Sequence, residues 1–185
     1  MRRLLCLSLF SLLLTGCASS AKIEGMTVGE SQARGNTYSA SLQDNLQVGE
    51  VKGGQETNPM WTSEIGGAEF QGALKQSLDN AGLLSDNGDA PYVLTANLVR
   101  VDQPLFGLDF EVTSSVEYVL VDKASGKELF RETLRTPYTA GVGDAFIAVK
   151  RLRLANEGSA RENISALLKR LSALNIEAKQ VSLNQ

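Results

Sequence analysis

The clearest hydrophobic pattern in the chain runs from Asp109 to Asp122. Phe110, Val112, Ser114, Val116, Tyr118 and Leu120 share one face, while Asp109, Glu111, Thr113, Ser115 and Glu117 share the other. This period-two alternation predicts a β-strand with one buried and one wet side. Asp122-Lys123-Ala124-Ser125-Gly126-Lys127 then reads as a turn, with Gly126 supplying a positive φ. Glu128 to Thr136 returns as the partner strand, and Pro137 and Gly141 to Gly143 close it. Tyr92 to Val101 is apolar and β-branched enough for a buried strand that starts at Pro91, and a first strand is expected around Leu42 to Val51.

Two stretches follow the helical period instead. Ile65, Phe70, Ala73, Leu74, Ser77, Leu78 and Ala81 recur at helical spacing. Thr62 or Ser63 is the expected cap, and Glu64 sits where the helix dipole favours an acid. Gly82 is the expected terminator, with Leu83 making the contact that accompanies a glycine cap. In the second stretch Asp144 is the expected cap, and Phe146, Val149, Leu152, Ile164, Leu167, Leu168, Leu171 and Leu174 line the apolar side. Gly158 and Ser159 weaken its middle, so one kinked helix and two helices are both open. The order strand, helix, three strands, helix predicts an α+β domain. Its sheet is mainly antiparallel, of about four strands, with two helical segments packed on one face. No internal repeat is visible.

The first residues follow none of these periods. Arg2 and Arg3 precede an apolar run from Leu4 to Leu14, broken only by Ser8 and Ser11, and Leu14-Thr15-Gly16-Cys17 closes it. The run is shorter than the roughly 20 residues a membrane-spanning helix needs, and it has the layout of a secretory signal. Leu-Thr-Gly-Cys resembles the lipobox of bacterial lipoproteins. The resemblance implies cleavage between Gly16 and Cys17, a diacylglyceryl thioether on Cys17 and acylation of its new amino group. It also implies attachment to a membrane through these acyl chains. Ala18 and Ser19 stand where an aspartate would favour retention at the inner membrane, so the outer membrane, facing the periplasm, is the expected location. Residues 1–16 are thus read as a signal peptide and 17–40 as a lipidated N-terminus with a flexible tether. Residues 41–178 form the domain and 179–185 a tail. The tether, rich in Ser, Gly, Ala, Gln and Asn, would span about 25 Å as a coil, unless Met26, Val28 and Tyr38 pack on the domain edge.

Cleavage leaves 169 residues, enough for one domain, with 16 basic against 21 acidic side chains. This acidic balance excludes an ordinary nucleic-acid partner. Cys6 leaves with the signal, and a thioether-linked Cys17 cannot pair, so the domain must fold without disulfides. The chain has no histidine, which removes Ser-His-Asp chemistry, histidine zinc sites and the usual near-neutral switch. No cofactor or metal is expected, and the protein is read as non-enzymatic.

The helix ending Ala81-Gly82-Leu83, followed by an Ala-Pro-Tyr-Val-Leu strand, resembles small envelope lipoprotein domains. These include activators of cell-wall synthases and the lipopolysaccharide-assembly lipoprotein. Val48-Gly-Glu-Val51, Asn58-Pro-Met-Trp61 and Asp102-Gln-Pro-Leu-Phe-Gly-Leu108 are similar to segments of uncharacterised proteobacterial lipoproteins, and this likeness implies no particular activity.

Few side chains suggest chemistry. Asp109 and Glu111 share a strand face, but a solvated sheet surface explains them better than a carboxylate pair. Gly53-Gly54 and Gly66-Gly67 lack a phosphate-loop lysine or dinucleotide fingerprint. Lys150, Arg151 and Arg153 read as the wet side of an amphipathic helix, with contact to anionic headgroups as the sharper alternative. Asn163-Ile164-Ser165 is a chance match to a glycosylation acceptor. The segment Asp102 to Leu108 is the exception, because it places Leu105, Phe106 and Leu108 in a proline- and glycine-marked loop between two strands. Either the loop folds onto the core or it offers apolar surface to a partner or lipid. Pro59-Met60-Trp61 poses the same question. Three functions follow: an envelope accessory that binds a protein partner or supports assembly, a carrier with an apolar pocket lined by residues such as Phe110 and Leu167, and a carboxylate-based hydrolase or transferase.

Overall fold

The structure is a computed structural model that describes residues 19–58, 62–174 and 176. The signal segment, Gly16, Cys17, Pro59-Met60-Trp61 and the 179–185 tail lie outside these residues. Eight elements follow in order: α1 (Ile23–Met26), α2 (Glu30–Ala33), β1 (Leu46–Gly53), α3 (Gly67–Asn80), β2 (Tyr92–Asp102), β3 (Phe110–Asp122), β4 (Glu128–Ala140) and α4 (Ala148–Ala173). The sheet order is β1-β2-β3-β4. β1 pairs with β2 in parallel, as a strand–helix–strand crossover requires, and the other two pairs are antiparallel. This is the expected α+β architecture.

β3 is the spine. Phe110, Val112, Ser114, Val116, Tyr118 and Leu120 are all buried, so the alternation identified the inner face correctly. Helix α3 covers β1, and α4 covers β3 and β4. The end of α3 is built as a glycine cap. Gly82 adopts φ +69, Leu83 N–H donates to Leu78 O, and Gly82 N–H donates to Asp79 O. Leu78 and Leu167 are both fully buried in the core. Each change to Ala is expected to destabilise the domain by about 2–5 kcal/mol, measurable by urea unfolding. A shift below 1 kcal/mol in both would mean that these helix faces are not packed as described.

Several boundaries differ from expectation. β1 begins at Leu46 rather than Leu42, after a loop in which Asp44 has φ +54. α3 begins at Gly67, capped by Gly66, instead of following Thr62 or Ser63. Ser63 is buried, its hydroxyl spent on the carbonyl of Ser19, and Glu69 supplies the acid of the first turn. β4 continues through Pro137 to Ala140. Pro137 pairs with Thr113 on an edge strand, where the lost N–H costs no ladder bond on the open side. Asp144 does not cap α4. Its carboxylate accepts from Gly141 N–H in the preceding turn, and the cap position is Ile147.

For residues 19–40 the structure takes the alternative left open above, with Met26, Val28 and Tyr38 packed on the domain. The structure holds them against the domain instead of leaving a flexible tether. Ala21, Met26, Val28 and Ala33 are fully buried and Tyr38 nearly so. Ala21 N–H donates to Glu64 O, Val28 N–H to Ser77 Oγ, and Asn80 Nδ2 to Val28 O. α1 touches both α3 and α4. Few apolar residues sit in this segment, but those few are the ones that meet the core.

Candidate functional site

α4 is one continuous helix, not two. Gly158 does not break it because the sheet is already there. A Cβ at this position would lie 2.2 Å from the Tyr138 ring. The missing side chain brings α4 close to β3 and β4 and leaves room for a polar seam. Ser159 Oγ accepts from Ser114 N–H at 2.8 Å, and the Ser159 carbonyl accepts from Ser114 Oγ and Thr136 Oγ1. Asn163 is fully buried. Its Oδ1 accepts from Tyr118 OH at 2.9 Å, while its Nδ2 donates to Leu134 O, Ser114 O and Thr136 Oγ1. Burial holds the Tyr118 phenol well above its ordinary pKa, so it stays a neutral donor. Every polar group named here has a partner inside the protein, so the seam fixes α4 on the sheet and carries no chemistry. It also takes up the amide of the Asn163-Ile164-Ser165 triplet.

A second polar cluster lies where the chain comes in from residue 19. Gln103 Nε2 donates to Glu64 Oε2, Ser63 O and Asn156 Oδ1. Asn156 Nδ2 donates to Ser63 O at 2.7 Å. The Ser63 hydroxyl donates to Ser19 O at 2.7 Å, and Arg153 Nη1 donates to Ser19 Oγ at 2.9 Å. Arg153 also pairs with Glu157, whose other contact is the amide of Lys22. Burial pushes the Glu64 carboxyl above the ordinary carboxylate range, opposed by hydrogen bonds from Thr62 and Gln103. These contacts tie Ser19 through Ser63 to Gln103, the residue after β2, and to the N-terminal half of α4.

Beyond Gln103 the loop projects outward. Leu105, Phe106 and Leu108 are 91, 85 and 77% exposed. The question left open by the sequence is thereby answered: this loop does not fold onto the core. A second loop joins it. Phe146, expected on the apolar side of α4, is 87% exposed, and Ile147 and Val142 are exposed beside it. The loops are neighbours. Phe110 pairs with Ala140 at the strand ends, and Val142 N–H donates to Asp109 Oδ1. Leaving Leu105 and Phe106 in water forgoes roughly 1.5–3 kcal/mol of burial apiece. Single exposed apolar residues need no explanation, whereas several on two adjoining loops do.

The basic cluster on α4 divides. Lys150 is exposed, but Arg151 is buried, not on the wet side. Its Nη1 donates to Ala145 O and Phe146 O, and its guanidinium lies 5.1 Å from the centre of the Phe110 ring. Arg151 thus holds the second apolar loop in its projecting position. Sequence reading missed this role and missed Phe146–Ile147 as partners of Leu105–Leu108. The signal available was the run Phe146-Ile147 directly after a glycine-rich turn.

The remaining candidates are local. Asp109 holds a loop amide, and Glu111 Oε2 accepts from Thr139 Oγ1 at 3.4 Å. Phe110 and Leu167, expected to line a ligand pocket, are packed in place. A cavity of about 500 Å³ borders Gly53, Gly54, Gly66 and Gly67, with Glu56 and Glu69 on its wall, and another of about 270 Å³ lies on the open sheet face beside Glu117 and Arg131. Neither is an apolar ligand site. Among the described residues no cluster of His, Cys, Asp or Glu could hold a metal, and no helix is long and apolar enough to cross a membrane.

No family model matches the chain, and no curated protein matches its sequence. Solved structures share the fold. A Caulobacter crescentus CB15 protein assigned as a lipoprotein superposes with a TM-score of 0.52 at 17% identity, over 78% of this chain and 96% of its own. A Xanthomonas campestris protein of domain family DUF330 gives 0.54 at 10% identity, over 75% and 91%. A dodecameric PelC from Paraburkholderia phytofirmans gives 0.50 at 17% identity, over 74% and 93%.

Proposed function

We propose that this protein is a lipid-anchored, non-enzymatic accessory of the cell envelope that works by docking. Acyl chains on Cys17 hold it at the outer membrane, with the domain on the periplasmic side. It engages an envelope component through the end formed by Leu105, Phe106 and Leu108 with Phe146 and Ile147. The observation that carries this reading is the exposure of these large apolar side chains on two loops that leave the same end of the sheet and are joined by the Val142–Asp109 hydrogen bond. The fold supports it, since it occurs in a protein assigned as a lipoprotein and in a protein that assembles as a dodecamer.

Photo-crosslinking in intact cells tests the reading. A benzoyl-phenylalanine placed at Leu105 or Phe106 is expected to give adducts, and one at Ser125, in the turn at the opposite end of the sheet, is expected to give none. The double variant Leu105→Ser with Phe106→Ser should unfold within about 0.5 kcal/mol of the parent, as exposed substitutions do. Loss of several kcal/mol in that variant, or equal labelling at both ends, would remove the docking surface.

A further inference from the structure

Resting on the reading of Cys17 as the acylated residue, we infer that the docking end meets the bilayer itself. Leu105, Phe106, Leu108, Phe146 and Ile147 enter the interfacial region of the membrane to which the protein is anchored. The reach of the chain decides this. Ser19 is fixed by Ser63 and Arg153, so only Ala18 separates a held residue from Cys17. Two residues span at most about 7 Å. The lipid attachment point therefore lies within that distance of Ser19 and cannot swing round to the β3–β4 turn, roughly 40 Å away along a 13-residue strand.

The face bordering Ser19 is the apolar end. Ser63, which binds Ser19, also receives the amide of Gln103, and Pro104 to Leu108 follow directly. Arg153, the other contact of Ser19, lies six residues beyond Ile147, about 9 Å along a helix axis. Both apolar loops thus flank the exit of the lipidated segment. A protein occupant would have to enter between this end and the headgroups. An α-helix with its side chains is about 10–12 Å across, more than the two-residue connection leaves. Lipid needs no such gap.

The chemistry of the end agrees. Its tip side chains are Leu, Phe, Leu, Phe, Ile and Val. Carboxylates near this end are held by partners: Asp109 and Asp144 accept from the amides of Val142 and Gly141, Asp102 pairs with Arg100 and Arg135, and Glu64 accepts from Gln103. Lys150 is exposed on the first turn of α4, three residues beyond Ile147, a cation free to meet phosphate headgroups. The domain is accordingly seated on the membrane, which fixes its orientation and presents the β3–β4 turn outward.

The mature lipidated protein, reconstituted in phosphatidylethanolamine–phosphatidylglycerol vesicles, provides the test. Single nitroxide labels are attached through Phe106→Cys, Phe146→Cys or Ser125→Cys, the thioether leaving Cys17 unlabelled. At 106 and 146 access to a water-soluble nickel complex should be several-fold lower than at 125, with access to oxygen raised. Nickel access at 106 and 146 equal to that at 125 overturns the inference. Protection from both reagents also overturns it, because that signals a protein cover such as a second copy. Mass spectrometry of the N-terminus separates the two readings. A mature chain without acyl groups defeats the anchoring proposal, while shielded labels on that same chain would still uphold membrane contact.

Discussion

Replacing Asn163 with Ala is expected to destabilise the domain by about 3–5 kcal/mol, and for a protein of this size to lower Tm by roughly 6–20 °C. The side chain is fully buried and serves four partners, Tyr118 OH, Leu134 O, Ser114 O and Thr136 Oγ1. Its removal leaves a phenol donor and two carbonyls short of a partner between helix and sheet, where a lost partner costs about 1–3 kcal/mol per group. Tyr118→Phe removes one member of the pair and should cost less. In the double variant the two losses should add to less than their sum by about 1–2 kcal/mol, the coupling expected of groups in contact. Urea unfolding of the four proteins checks the cycle. An Asn163→Ala protein within 1 kcal/mol of the parent would show that the seam is not dry.

Cys17→Ser is expected to abolish acylation and processing together, leaving unprocessed precursor without labelled palmitate. Globomycin, which inhibits the lipoprotein signal peptidase, should reproduce the processing defect in the parent. Normal maturation in its presence would refute the lipobox reading. The magnitudes separate anchor from docking surface. At about 0.8 kcal/mol for each buried CH₂, two or three acyl chains far exceed what five tip side chains add at roughly 1.5–3 kcal/mol apiece. The same chain from Ala18 onward, exported behind an ordinary signal, should therefore appear in the soluble periplasmic fraction, although its tip is intact.

The seam explains why part of this design could not be seen in one dimension. Ser159 and Asn163 stand in a stretch whose glycine and serine content argued for a break. Their side chains are satisfied by Ser114, Tyr118, Leu134 and Thr136, 23 to 49 residues away in the chain. Arg151 shows the same effect. Its charge argued for solvent, and the carbonyls of Ala145 and Phe146 with the Phe110 ring made burial acceptable.

By itself the sequence determined what depends on near neighbours. The inner face of β3, the glycine cap at Gly82, the faces carrying Leu78 and Leu167, and the α+β order all follow from local period and backbone preference. The apolar anomaly at Leu105, Phe106 and Leu108 was equally visible, but its two readings were not separable there, because exposure is a property of what surrounds a loop. Tertiary structure decided that question. It placed Phe146 and Ile147 beside that loop, carried β4 past Pro137, and drew residues 19–40 out of an expected tether onto the core. Each of these rests on contacts between segments far apart in the chain: Ser19 with Ser63 and Arg153, Val28 with Ser77 and Asn80, Phe110 with Ala140. Their free energy exists only once the sheet and α4 are assembled, so no local pattern could carry it.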